Sequence, residues 1–186
     1  PHALRGTRTS VVGRIFQLKG SNGGGPKRRV DSATLTYRGL SGDRQADMRA
    51  HGSPQQALCL FGIEQIAILR AEGHRVFAGA TAENVTLEGI DWSLLTPGTR
   101  LSLGATAVVE LTDYASPCWK NARWFNNGNF HRIDHDLFPH SSRVYARVLQ
   151  TGDIAEGDHV GVTLEDAIDR VPRRQARPIR WPADFQ

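Results

Sequence analysis

At 186 residues the chain is long enough for one domain with a sizeable core and short for two. Hydrophobic residues make up 39%, and no stretch approaches the ~20 consecutive apolar residues of a membrane helix, so no membrane association is expected. The formal net charge of +4 and pI near 9.5 favour acidic ligands such as phosphates, but the excess is too small to demand a nucleic-acid partner.

The first residues, Pro1 to Ser10, are polar and basic without an apolar run. They read as an N-terminal extension rather than a secretion signal, and a cytoplasmic location is expected. Ser10 to Leu18 carries Val11, Val12, Ile15 and Phe16 and predicts an early strand. Gly20 to Arg29 is a glycine-rich segment ending in a basic cluster, and Val30 to Tyr37 is β-prone. Ala57 to Phe61 is short and wholly apolar, as in a strand buried on both faces. Over Gly62 to Glu72 the period changes: Ile63, Ile66, Ala67 and Arg70 fall at helical spacing, with Gly73 placed as a C-terminal cap.

Pro97-Gly98 marks a turn, followed by strand patterns at Leu101 to Ala105 and Val108 to Leu111. Asn121 to Ser142 fits neither period and predicts a long loop with a helical turn. Val144, Ala146 and Val148 alternate with Tyr145, Arg147 and Leu149, and Val160, Val162 and Leu164 alternate again after Gly157-Asp158. Glu165 to Arg170 predicts a short helix stopped by Pro172, followed by a basic tail. Many short strands between glycine turns, with one or two peripheral helices, argue for a mainly β fold. The expected form is a closed or nearly closed barrel, not a βαβ sheet.

Two cysteines are too few for a disulfide framework, and free thiols are expected. Cys118 follows Pro117 at the exit of a predicted strand, with Lys120 and Arg123 just beyond it. Nearby cations favour the thiolate, which attacks sulfur donors and ligates metals; the other reading is a small buried hydrophobe. Cys59, among Leu58, Leu60 and Phe61, reads as packing. Gly20 to Arg29 is compatible with an anion cradle using Lys27 and Arg28, or equally with a solvated hairpin. It is not a Walker loop, because Pro26 precedes Lys27 and no Ser or Thr follows it. His131 and His135 have the spacing of a helical zinc pair, but Gly128 and Pro139 disfavour a helix there, and solvated loop histidines are expected.

Several segments taken together resemble the MOSC domain family. Gly39-Leu40-Ser41-Gly42-Asp43, then His51-Gly52 and Ala57-Leu58, match its G-L-x-G-D and H-G-G-x-x-x-A-[LV] signatures. Glu83-Asn84 matches its G-E-N element, Pro117-Cys118 its characteristic cysteine, and Tyr145 to Leu149 with Gly152 and Gly157-Asp158 its closing strand pair. The resemblance runs from about Val11 to Leu164, leaving 1–10 and 165–186 outside the domain. Two positions depart from the pattern: Ser53 replaces the second glycine after His51, and Ala82 replaces the glycine before Glu83. If either backbone position needs a positive φ, the loop would be reshaped.

The resemblance implies a barrel related to the inserted barrel of pyruvate kinase, and a role in molybdenum-cofactor and sulfur chemistry. Cys118 would either carry sulfane sulfur as a persulfide or ligate molybdenum of a bound molybdopterin, as in relatives that reduce N-hydroxylated compounds. Asp43, His51, Asn84, Lys27, Arg28 and Arg147 would line the cofactor pocket. Full-length sulfurases carry a pyridoxal-phosphate domain for which 186 residues leave no room, so sulfur would come from a separate donor such as a cysteine desulfurase, and reduction would need a redox partner. The alternatives are a non-catalytic cofactor carrier and, with less support, a nucleic-acid binder acting through the basic segments.

Overall fold

The computed structural model describes residues 8–20, 27–43 and 53–164. The strands are β1 (Arg8–Gly20), β2 (Arg28–Val30), β3 (Ser32–Thr36), β4 (Gly39–Leu40), β5 (Leu58–Gly62), β6 (Val85–Glu88), β7 (Arg100–Leu103), β8 (Ala107–Tyr114), β9 (Val144–Gln150), β10 (Gly152–Ala155) and β11 (His159–Leu164). Among the described residues one α-helix, α1 (Ile63–Ala71), follows β5 directly.

Seven strands close a mixed barrel in the order β11-β7-β8-β9-β5-β6-β1, with β1 returning to pair β11. Only β5 and β6 run parallel, joined by α1 as the crossover. β2 pairs with the far end of β1, and β10, β3 and β4 form a separate three-stranded sheet. β1 can serve three partners because it is long and irregular. It pairs β11 from Arg8 to Arg14, β6 from Arg14 to Leu18 and β2 from Leu18 to Gly20, with register shifts between Val11 and Gly13 and between Ile15 and Gln17.

The two-residue alternation seen in the sequence is the inside–outside alternation of the barrel. Ala107, Val109 and Leu111 of β8 and Val144, Ala146 and Val148 of β9 are buried, while the residues between them are half-buried. β5 is buried along its whole length, as its unbroken apolar run requires. The barrel interior lies on one side, and α1, through Ile66 and Leu69, packs near the other. α1 ends where expected: Gly73 adopts φ +90 and donates its N–H to the Arg70 carbonyl at 2.9 Å.

The segment Val30 to Tyr37, expected as one strand, is two. At Asp31 the chain passes from the barrel to the smaller sheet, and the Asp31 carbonyl accepts the Glu156 N–H at 3.0 Å from the β10–β11 turn. The Asn121–Ser142 region carries short 3-10 turns and no strand. The expected helix at Glu165–Arg170 lies outside the described residues.

Candidate functional site

Three segments far apart in sequence meet on one carboxylate oxygen. Asp43 Oδ2 accepts the Lys27 ammonium at 2.6 Å and also the Asn84 side-chain amide. The Lys27 and Asp43 side chains are buried, as is Asn84. Asn84 is fixed from several sides: its carbonyl accepts the Lys19 N–H at 2.8 Å, and its Oδ1 accepts the Cys59 N–H at 3.0 Å. Gly39, the first glycine of the segment leading to Asp43, has φ +111, and a side chain there would press on the Ala57 carbonyl. The backbone approach that delivers Asp43 therefore demands glycine.

The residues just before Asn84 form a tight polar loop. Glu83 is fully buried and accepts the Gly79 N–H at 2.5 Å and the Thr81 hydroxyl at 2.8 Å. Gly79, at φ +87, leaves the space occupied by the Lys19 stem; a methyl group there would collide with Lys19 Cδ. Lys19 is itself only 8% exposed. Its ammonium feels the Glu83 carboxylate but has no hydrogen-bond partner among the described residues. Burial pushes its pKa down, and Glu83 offsets part of that.

Arg143 ties this loop to the cysteine turn. It is buried, with Nη1 donating to the Thr81 carbonyl and Nη2 to the Ser116 carbonyl at 3.1 Å, while its buried Nε has no hydrogen-bond partner. Cys59 faces the same guanidinium: burial pushes its thiol pKa up, and Arg143 opposes the rise. Tyr145 lies opposite Cys59 in the β5–β9 register. Its phenol is pushed up to about 12 by burial, with Cys59 and Cys118 among the groups acting on it, so it remains a neutral hydrogen-bond donor at physiological pH. Cys118 sits two residues past Ser116, half-buried, in extended backbone at the start of the 3-10 turn Trp119–Trp124; its carbonyl accepts the Asn121 N–H at 2.9 Å. No disulfide joins it to Cys59.

The fold thus gathers Lys27, Asp43 and Asn84, and links them through the Gly79–Asn84 loop and Arg143 to the turn bearing Cys118. Arg28 is exposed on β2. Arg147 is held on the barrel's outer surface, where Nη2 contacts Glu110 at 2.7 Å beside the Arg100–Glu110 pair. His51 lies outside the described residues. His131 and His135 do not share a helix, and among the described residues no cluster of three His, Cys, Asp or Glu side chains is placed to hold a metal ion.

Lys19, Glu83 and Arg143 are the site residues that sequence reasoning missed in this role. Lys19 sits at the end of an apolar strand pattern and looks like an ordinary solvated terminus. Arg143 precedes β9 by one residue and carries no motif. Glu83 was visible only as a family element.

Of the two departures from the family pattern, Ser53 takes ordinary extended backbone at φ -76 and ψ 148. Ala82 adopts φ +70, the left-handed region a glycine would occupy without strain, and its N–H still donates to the Gly79 carbonyl at 3.2 Å. The loop is kept in its turned form rather than reshaped.

A closed mixed barrel whose half-exposed thiol sits on a turn that buried Arg143 ties to a clamped polar loop defines a small β-barrel protein with a candidate thiol site. Comparison with known proteins gives the family. The MOSC domain family model matches residues 47–161, and this chain belongs to that family. It is 30% identical to the uncharacterized protein YflK of Bacillus subtilis over 182 residues, covering 86% of this chain and 81% of YflK. It is also 32% identical over 90 residues to the protein YiiM of Escherichia coli; that match spans 46% of this chain and 40% of YiiM. The crystal structure of E. coli YiiM has the same fold, with a TM-score of 0.60, 21% identity, and coverage of 86% of this chain and 72% of that one. The B. subtilis YUAD protein aligns with a TM-score of 0.62 at 15% identity, over 86% of this chain and all of that one.

Proposed function

We propose that this protein holds the molybdenum cofactor, with Cys118 as a thiolate ligand of the metal. The observation that supports this reading is Lys19, whose stem is packed over Gly79 and whose ammonium has no hydrogen-bond partner among the described residues. A cation held on a largely buried stem loses part of its hydration, and an anionic ligand would restore a partner to it. The unpartnered Arg143 Nε and the Lys27–Asp43–Asn84 cluster add donors and charge suited to a phosphate and a hydrogen-bonding ring.

Lys19 and Lys27 would neutralise the phosphate, Asn84 and Asp43 would orient the pterin edge, and Arg143 would keep the Ser116–Cys118 turn against the pocket. Cys118 is a single soft ligand, so the metal would arrive with most of its coordination supplied by its own pterin. The bound cofactor would supply two-electron reduction, and compounds with N-hydroxyl groups are the substrate class this reading carries. A second reading has a specific observation in its favour: the Cys118 thiol is half-exposed beside exposed Lys120, as a persulfide carrier served by a separate cysteine desulfurase would require.

Expression in a cofactor-producing host, followed by metal analysis and fluorescence of the oxidised pterin, tests the first reading. Near-stoichiometric molybdenum and pterin are expected, with the metal lost in Cys118→Ser and both lost in Lys19→Met. Folded protein without pterin sinks it. Uptake of one labile sulfur from a desulfurase and cysteine, retained in Cys59→Ser and lost in Cys118→Ser, would then establish the carrier role.

A further inference from the structure

The surface beside Cys118 has a composition unlike the rest of the barrel. Trp119, immediately after the cysteine, is 61% exposed, among the most exposed of the large apolar side chains. Lys120 follows it and is exposed, as are Arg123 of the same 3-10 turn and Arg75. Arg75 is built into the same surface, its N–H donating to the Trp124 carbonyl at 2.8 Å and its Nη2 to the Arg123 carbonyl at 3.1 Å. The Arg123 guanidinium lies 4.8 Å over the Trp124 ring, and Phe77 meets Trp124 edge-on at 4.9 Å with 39% of its own surface exposed.

No Asp or Glu occurs in 75–82 or in 115–133, the two segments that form this surface. At its margin Glu72 is already engaged by both nitrogens of an Arg132 fork, at 2.6 and 2.8 Å. The two segments are therefore aromatic and cationic and carry no acid of their own, and one of them holds the half-exposed thiol.

We propose that this patch is the docking surface for an acidic partner protein that delivers electrons or sulfur to Cys118. The inference rests on Cys118 being the reactive group and not on what it holds. Tryptophan and arginine are the residues most enriched at energetic centres of protein interfaces, and Trp119 stands in the position of an anchor. Charge complementarity names the other side: a face of carboxylates would be steered toward Lys120, Arg75 and Arg123. A nucleic acid would call for a continuous cationic track, whereas Arg75 and Arg123 are gathered at Trp124 of one short turn.

Thiol–disulfide exchange with the full-length protein tests this at fixed pH. The probes are a glutamate-rich cysteinyl peptide and its glutamine counterpart, each as a mixed disulfide with 5-thio-2-nitrobenzoate. The Cys118 thiolate attacks the peptide sulfur, a new Cys118–peptide disulfide forms, and thionitrobenzoate leaves with the electron pair; Cys118→Ser gives the blank. The readout is the ratio of the two rates, which cancels the intrinsic reactivity of the thiol. At low salt the acidic peptide should react about tenfold faster, with the ratio falling toward one as salt rises.

Lys120→Glu, a change at an exposed position, should bring the low-salt ratio to one or below, and Arg75→Glu should lower it wherever that variant folds. A wild-type ratio near one at low salt overturns the proposal while leaving Cys118 reactive. If neither peptide reacts, the reactive-thiol premise and the docking surface fail together. If a DNA duplex at physiological salt shields Cys118 from the neutral peptide, the patch belongs to nucleic acid and the proposal is overturned.

Discussion

Asn84 and Cys59 hold each other by two hydrogen bonds: the Asn84 N–H donates to the Cys59 carbonyl at 2.8 Å, and the Cys59 N–H donates to Asn84 Oδ1 at 3.0 Å. The side-chain amide thus completes a ladder position just ahead of β6, and one of its two N–H groups is given to Asp43. Replacing Asn84 with Ala leaves a buried backbone N–H and an Asp43 oxygen short of partners, which should cost about 1–3 kcal/mol. Asn84→Asp should cost at least as much, because it sets a second carboxylate against Asp43. Chemical denaturation of both variants checks this; a loss below about 0.5 kcal/mol in each would show that the clamp is not structural.

Ala82 at φ +70 carries strain that glycine would not. Ala82→Gly should stabilise the protein by up to about 1 kcal/mol, the relief being partly offset by the greater freedom of the unfolded chain. A shift of the denaturation midpoint in the destabilising direction would mean that the alanine methyl makes a contact worth more than the strain.

Lys19→Met keeps the stem over Gly79 and removes the charge. In the ligand-free protein it should raise stability by up to about 1 kcal/mol, since partial desolvation of the ammonium is not offset by a hydrogen bond among the described residues. Burial lowers the folded-state pKa of Lys19, so the wild type is handicapped while the lysine is charged in both states. It recovers as pH rises through the folded pKa toward the unfolded value near 10.4. The gap between Lys19→Met and wild type should therefore narrow with rising alkaline pH. A constant or widening gap in paired thermal melts would contradict this account.

Glu72 gives an acid-side counterpart. Its carboxyl is held below the usual range by the Arg132 fork, with burial opposing and His74 assisting. The stability this contributes is present above the unfolded pKa near 4.3 and is lost as pH falls through the depressed folded value. The pair is partly exposed, so Glu72→Gln should cost no more than about 0.5–1 kcal/mol at neutral pH, and the difference from wild type should vanish in acid. Melts at neutral and low pH that differ equally would assign the effect to packing.

Much of the barrel could be read from the chain because its cause is local. Val144, Ala146 and Val148 alternate in the sequence as they do in space, and the unbroken Leu58–Phe61 run is buried on both faces because the helix after it returns over the sheet. Of the candidate site, the positions that a short motif carries could be singled out in the sequence, as at Asp43, Asn84 and Cys118. Lys27 fits because it directly precedes β2, the strand that pairs with the end of β1 beside Asp43. Arg28, one residue on, is exposed, as is Arg29 after it, a distinction that a basic cluster cannot reveal. Arg147 shares the strand and outward alternation of Tyr145, but Glu110, opposite it in β8, claims its side chain. Lys19 and Arg143 were invisible because their burial comes from chain segments about 60 residues away, through Gly79 and Thr81.

The pairing of Arg8 with Leu164 that seals the barrel also dictates when the protein can come into being. The first strand waits, with one edge uncovered, until nearly the whole domain has left the ribosome, and no earlier hairpin can take the place of β11. Closure is thus the longest-range contact of the described chain, which makes it the slow step of folding and the interval in which the exposed β1 edge is most open to a neighbouring chain.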